Sequence, residues 1–361
     1  STLVPSEDAP AESTLPDTFS AAGESFSWDS ARGCLSYRFT PGIADEAYSY
    51  QITFTGVDNI PHTFDAPYSG GDCTGSAELS PGDVYDVTVS VNDDTGSRAA
   101  LRGGTTTVID FACPNKGESL HHGLDLWHQK ADGRTFCDYG FHMTIDDWNE
   151  SIRAELPDMF AAGISSFKMY LTYPAMMIGD RDIYWALKEL RRLGGIAGFH
   201  CENAGVIDGM IAERKAAGEL SPASHPLTRP AGLEAEAVSR LLRIAQAADC
   251  PVVIVHLTNQ EALKEVEHAR RRGQKVYVET CPQYLLLDEH VYFNPDYSSA
   301  ARYVCAPPLR AKEEQDHLWK ALRRGEIQTI STDHCSFTLA QKDMGQEDFT
   351  KIPGGLPGVE T

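Results

Sequence analysis

Ser166-Phe167-Lys168-Met169-Tyr170 sets a lysine in the middle of an apolar, strand-like run. Three further stretches share its form: Phe199-His200-Cys201-Glu202-Asn203, Val255-His256-Leu257-Thr258 and Ser331-Thr332-Asp333-His334. Each follows or ends a run of β-branched or apolar residues, the pattern of a buried strand reaching its end. Singly, a strand lysine reads as a solvated edge and a strand histidine as a packed core residue. Together and in order, a lysine, two histidines and an aspartate can converge on one metal centre. In α/β barrels the reactive residues collect at the C-terminal rim of the strands.

The neighbouring sequence supports that arrangement. Strand-like runs recur at Thr105 to Phe111, Tyr139 to Ile145, Ser166 to Leu171, Ile196 to His200, Pro251 to His256, Lys275 to Thr280 and Gln328 to Asp333. Amphipathic stretches such as Ile183 to Leu193 and Asn259 to Arg272 lie between them. Strand–helix alternation of this kind predicts a parallel sheet with helical crossovers. Seven strands are legible, one short of a closed eight-stranded barrel.

The motifs run in a characteristic order. They begin with Arg98-Ala99-Ala100-Leu101, Gly103-Gly104-Thr105-Thr106-Thr107, Asp110-Phe111 and Tyr139-Gly140-Phe141-His142. After the lysine and histidine strands come Glu279-Thr280-Cys281-Pro282-Gln283-Tyr284, Ala306-Pro307-Pro308-Leu309-Arg310, the Asp333 strand and Lys351-Ile352-Pro353-Gly354-Gly355. This series resembles the cyclic amidohydrolases, the hydantoinases and dihydropyrimidinases. The resemblance covers residues 98–361 and implies a binuclear metal hydrolase. In that family the strand lysine is carbamylated by carbon dioxide and bridges two metal ions, usually zinc. Lys168 matches it. An unmodified lysine is a cation and a poor ligand, whereas a carbamate is an anion with two oxygens. His200 and His256 match ligands of one metal, a role that suits neutral imidazole. Asp333 matches the carboxylate that binds the other metal and shuttles a proton. Tyr173 matches the tyrosine that steadies the oxyanion. Ala306 and Gly354 stand where the family has Ser and Asn, at positions that bind the cyclic diamide through backbone groups. Cys201, Cys335 and His334 read as packing or supporting groups, and His121 and His122 as surface residues.

Two departures shape the expectation. The family's first barrel strand ends in a His-x-His metal pair. Here the only candidate is Pro61-His62-Thr63-Phe64-Asp65-Ala66-Pro67, which lacks the second histidine and lies too far from Gly103. It reads either as a degenerate first strand or as coincidence. The family also continues past the position matching Thr361. One tightly held zinc is therefore expected, with a second site weak or empty. The expected architecture is α/β: a TIM-type (β/α) barrel of the metal-dependent amidohydrolase kind, incomplete, behind an N-terminal all-β sandwich. An open barrel carries two free sheet edges that something must cover.

The acidity divides the chain. Residues 1–98 carry 16 Asp or Glu, three Arg and no Lys, a net −13 of the chain's −21. Residues 1–18 read as a flexible acidic tail or linker. Residues 19–97 show short strands at Ser25 to Trp28, Leu35 to Phe39, Tyr48 to Phe54 and Val84 to Val91. With Trp28, a tyrosine-corner pattern over Leu79 to Tyr85 and a turn at Asn92 to Gly96, this segment resembles a fibronectin type III domain. Cys34 and Cys73 could pair there in an oxidising setting. The other seven of the nine cysteines sit mostly in apolar runs, as free thiols do in a reducing one. The barrel thus suits the cytoplasm, while the N-terminal segment also suits an extracellular setting.

The strong negative charge argues against a nucleic-acid partner, and no apolar run reaches the 18 or so residues of a membrane span. Ser1 opens the chain without an initiator Met or a leader pattern, as in a processed or trimmed chain. The expected partners are a small cyclic diamide substrate and further copies of the chain. Two other functions compete. One is a non-catalytic dihydropyrimidinase-like assembly protein that has lost the His pair. The other makes the sandwich an adhesive module and the barrel a remnant. The four ligand-type residues favour a hydrolase opening cyclic amides of hydantoins or dihydropyrimidines.

Overall fold

Burial on both faces selects the central strands. In the strand Ser166–Tyr170 the side chains of Phe167, Lys168 and Met169 are all buried, as in a sheet covered on both sides. The structure, a computed structural model, describes residues 21–29, 34–41, 49–56, 61–66, 68–69, 72–77, 85–92 and 95–359. Residues 1–18 and most of the expected tyrosine corner lie outside them.

The first seven strands are β1 (Ala21–Asp29), β2 (Cys34–Pro41), β3 (Ser49–Gly56), β4 (Pro61–Asp65), β5 (Tyr68–Ser69), β6 (Asp72–Ala77) and β7 (Tyr85–Asn92). They form two antiparallel sheets, ordered β1-β2-β6-β5 and β4-β3-β7. Tyr37 on one sheet packs against Phe54 on the other, with ring centroids 6.3 Å apart. This is the expected sandwich.

Register settles two open questions. Phe54 pairs with His62 and Ile52 with Phe64, so the Pro61 segment is a strand of the sandwich, not a damaged first barrel strand. Cys73 lies opposite Phe39, five positions along β2 from Cys34. At about 3.3 Å per residue that places them roughly 16 Å apart along the ladder, too far for a disulfide. The Asn92–Gly96 turn also gives way: Thr95 opens a helix, Thr95–Gly103, so the composition break near Arg98 falls inside a helix.

The remaining strands are β8 (Thr107–Ala112), β9 (Asp138–Thr144), β10 (Ser166–Tyr170), β11 (Ile196–His200), β12 (Val252–Ile254), β13 (Val276–Thr280) and β14 (Thr329–Ile330). They make one parallel sheet in reverse chain order, β14-β13-β12-β11-β10-β9-β8, as expected for a barrel opened between its ends. Edge residues Ile109 and Ile330 are 56% and 51% exposed, so both sheet edges meet solvent.

Helices cover the sheet for readable reasons. In Asp180–Leu193, Ile183, Ala186, Leu187 and Leu190 repeat at helical spacing and are fully buried. Gly194 ends that helix at φ 84°, a conformation that costs a glycine nothing. Asn149, Asn203 and Asn259 cap three other helices, each side chain accepting a backbone N–H three residues on. Two of these caps follow the His200 and His256 strands closely, so capping fixes where those strands end. No described helix is long and apolar enough to cross a membrane.

Candidate metal centre

Lys168 enters the site from the middle of β10, opposite Gly198 on β11. A side chain at Gly198 would press on Val255 at 2.9 Å and lie 3.7 Å from the Lys168 stem, so glycine there leaves room for the lysine. Lys168 Nζ sits 4.0 Å from the Tyr170 ring centroid and 5.4 Å from that of Phe111. Among the described residues it makes no hydrogen bond or ion pair. Burial drives its pKa down from the usual lysine value, against the pull of Asp333. The shift is toward the neutral amine.

His200 ends β11 and His256 lies two residues past the end of β12, their ring centroids 4.6 Å apart. His200 Nε2 lies 2.7 Å from Glu202 Oε2, which also accepts from Arg229 Nη1 at 2.7 Å. Burial alone would raise the Glu202 pKa, but Arg229 and His200 outweigh it and hold the carboxyl well below the usual range. Burial likewise lowers the His200 pKa, so a neutral imidazole donates through Nε2 to the carboxylate. Nδ1 then carries the lone pair. A carboxylate orienting the far nitrogen is how proteins present histidine to a metal.

His256 differs. It is 4% exposed, and neither ring nitrogen has a partner. Each unpaired buried nitrogen costs about 1–3 kcal/mol. Burial, then His200 and Lys168, push its pKa well below the ordinary histidine value. A neutral, desolvated imidazole with both nitrogens unused fits a metal ion. Among the described residues no three His, Cys, Asp or Glu side chains gather closely enough to hold an ion by themselves.

Backbone strain marks the same residues. Four described non-glycine residues have positive φ: Tyr173 at 68°, His256 at 41°, Asp333 at 46° and Asp249 at 52°. Asp249 caps a helix. The other three are site candidates, where such strain tends to persist. The Tyr173 ring centroid is 5.0 Å from that of His200, and burial keeps its hydroxyl protonated, a hydrogen-bond donor. Asp333 is exposed, yet its charge acts on Lys168, Tyr173 and Glu279. A side chain on Gly354 would lie 3.9 Å from the Ala306 backbone nitrogen, so these two candidates meet in space.

Of the supporting residues, Cys335 alone departs from a packing role. Cys201 is buried as expected, but Cys335 is exposed and packs no core. His334 Nδ1 accepts the backbone N–H groups of Gly358 and Val359 at 3.0 and 3.1 Å. His121 and His122 are exposed, as expected, His121 lying 3.1 Å from Asp158.

The turn after His256 rests on a buried ion pair that the linear pattern conceals. Glu234 accepts from Thr258 N at 2.9 Å, from Asn259 Nδ2 at 2.8 Å and from Arg310 Nη2 at 2.8 Å. Both charges are over 90% buried. Glu234→Ala leaves Arg310 uncompensated and is expected to cost about 3–5 kcal/mol. Urea unfolding of the full chain measures this; a loss under 1 kcal/mol would show the pair to be dispensable.

A parallel, outwardly helix-covered sheet with a lysine within one strand and two histidines and an aspartate at or just past the ends of others is the pattern of the TIM-type amidohydrolase class. No protein-family model matches the chain. A D-hydantoinase of Streptomyces coelicolor is 44% identical over 269 residues, covering 74% of this chain and 57% of the relative. A D-hydantoinase of Geobacillus stearothermophilus is 39% identical over 310 residues, covering 84% of this chain and 62% of the relative. The crystal structure of dihydropyrimidinase from Brevibacillus agri superposes with a TM-score of 0.72 at 41% identity, over 73% of this chain and 58% of the other. The chain belongs to the hydantoinase/dihydropyrimidinase family of cyclic amidohydrolases. It spans about three fifths of the length of these curated relatives.

Proposed function

We propose that this chain is a metal-dependent hydrolase that opens the cyclic amide bond of hydantoins or dihydropyrimidines. One observation carries the reading: the His200 and His256 rings lie 4.6 Å apart, centroid to centroid, on the strands next to a buried Lys168, and His256 leaves both nitrogens unpartnered. The names of the relatives supply the substrate class. His256, His200 through Nδ1, Lys168 and Asp333 would hold zinc. A neutral Lys168 amine can add to carbon dioxide, forming a C–N bond and releasing one proton; the resulting carbamate is an anionic ligand. When bound, the metal would lower the pKa of its water and polarise the substrate carbonyl.

The protein groups do the rest. Asp333 takes a proton from the attacking water and returns it to the departing ring nitrogen. Tyr173 donates a hydrogen bond to the developing oxyanion. Glu202, held ionised by Arg229, keeps His200 in one tautomer. Backbone groups at Ala306 and Gly354 grip the diamide, and the single methyl of Ala306 and the lack of a side chain at Gly354 keep that backbone open to the ligand.

The test is ring opening of hydantoin and dihydrouracil by the full chain, loaded with zinc in bicarbonate. Turnover that a chelator removes and zinc restores is expected. Protein carrying zinc but inert toward both rings would sink the proposal.

A further inference from the structure

Lys342 stands outside the set of lysine, histidines and aspartate, yet it reaches both backbone segments assigned to the diamide. It closes the short helix Leu339–Lys342, which Thr338 and Gln341 cap reciprocally. The residue is 3% exposed. Its Nζ donates to the Val304 carbonyl at 2.9 Å, to that of Pro353 at 2.7 Å and to that of Gly355 at 3.0 Å. Val304 lies two residues before Ala306, and Pro353 and Gly355 flank Gly354. Burial pushes the Lys342 pKa down to about 8, so at neutral pH the ammonium keeps its three donors. Each donor has one carbonyl, and no carboxylate pairs with the charge among the described residues. A buried charge without a counter-ion costs stability, so packing alone gives no reason for a lysine here.

The neighbouring carbonyls are held as well. His225 Nε2 donates to the Cys305 carbonyl at 2.8 Å, and the Tyr284 hydroxyl donates to that of Pro307 at 2.8 Å. The two segments also meet directly, Gly355 N donating to Val304 O at 3.0 Å. The carbonyls on either side of Ala306 and of Gly354 are thus occupied. Among the described residues the backbone groups of Ala306 and Gly354 themselves make no hydrogen bond. We infer that Lys342 is a positioning residue: by bridging the two segments it sets the spacing between the Ala306 and Gly354 backbone groups that take the cyclic diamide. The inference rests on the proposed reading that those groups grip the ring.

Lys342→Met keeps the stem and removes all three donors. In the full, zinc-loaded chain at neutral pH it is expected to raise KM for hydantoin by roughly 10- to 100-fold, the scale of loss when a binding group is misplaced. Turnover and zinc content should be little changed. A lysine of purely structural role would instead lower the active fraction, which reduces kcat and leaves KM alone. Leu156→Ala, a loss of buried packing on another helix, supplies that comparison. Lys342→Gln, with two donors on a shorter stem, should fall between the native chain and Lys342→Met. It also serves if circular dichroism shows that methionine blocks folding. Should the native chain bind hydantoin without opening it, the dissociation constant from calorimetry takes the place of KM. An unchanged KM in Lys342→Met, a fall in kcat alone, or failure of both variants to fold overturns the inference. Ring opening with an unchanged KM leaves the hydrolase reading standing. Binding that depends on Lys342 without ring opening does the reverse. A native chain that neither binds nor opens hydantoin overturns both.

Discussion

Lys168→Ala is expected to remove both the bound zinc and all ring-opening activity. The lysine is buried, has no counter-ion within hydrogen-bond reach among the described residues, and is shifted toward its neutral form by desolvation. A structural lysine so placed would be a liability, because an unpaired buried cation is among the costliest arrangements in a protein. Conversion to the proposed carbamate would change the sign of the charge and supply two ligand oxygens. Alanine removes them and leaves His200 and His256 to hold an ion alone, which two neutral ligands do weakly. Elemental analysis of the purified variant reads the metal, and ring opening reads the activity. Added short carboxylic acids are expected to restore part of both by standing in for the carbamate. Full metal content in Lys168→Ala would remove the lysine from the centre.

Asp333→Asn is expected to lower turnover by a factor on the order of 10²–10⁴, the contribution of a positioned proton-transfer group. The substitution is clean for a backbone reason. Asp333 sits at φ 46°, a conformation that asparagine tolerates as readily as aspartate. The residue is also exposed, so no buried partner is orphaned. Thermal unfolding should therefore be little changed while kcat falls. An unchanged kcat in the variant would refute the proton-shuttle role.

Much of the barrel was legible in linear sequence. Seven strands were expected and seven are present in the parallel sheet, because buried parallel strands are dense in apolar residues and helices intervene at regular spacing. Lys168, His200, His256 and Asp333 stood out because polar residues at the ends of such runs break the pattern. Glu202 was quoted within its motif but carried no separate signal. Its importance comes from Arg229, a residue 27 positions away. Glu234 and Arg310 are separated by 76 positions and meet only through the fold. Asp146 carried no signal in the linear sequence; its burial and the unpaired Oδ1 come only from the fold.

Local pattern by itself determined the alternation of strand and helix, the strand ends that carry chemistry, and the acidic break between the N-terminal strands and the barrel. Each depends on neighbours within a few residues, where side-chain period and capping act directly. Tertiary structure decided which partner each strand took. The Pro61 segment could read as a barrel strand, yet it pairs with β3, opposite Phe54 in antiparallel register. Cys34 and Cys73 could read as a pair, yet register sets them at different ends of one ladder. Pairing over long range is chosen by the packing of whole faces, and a strand's own few residues carry too little of that choice to reveal it.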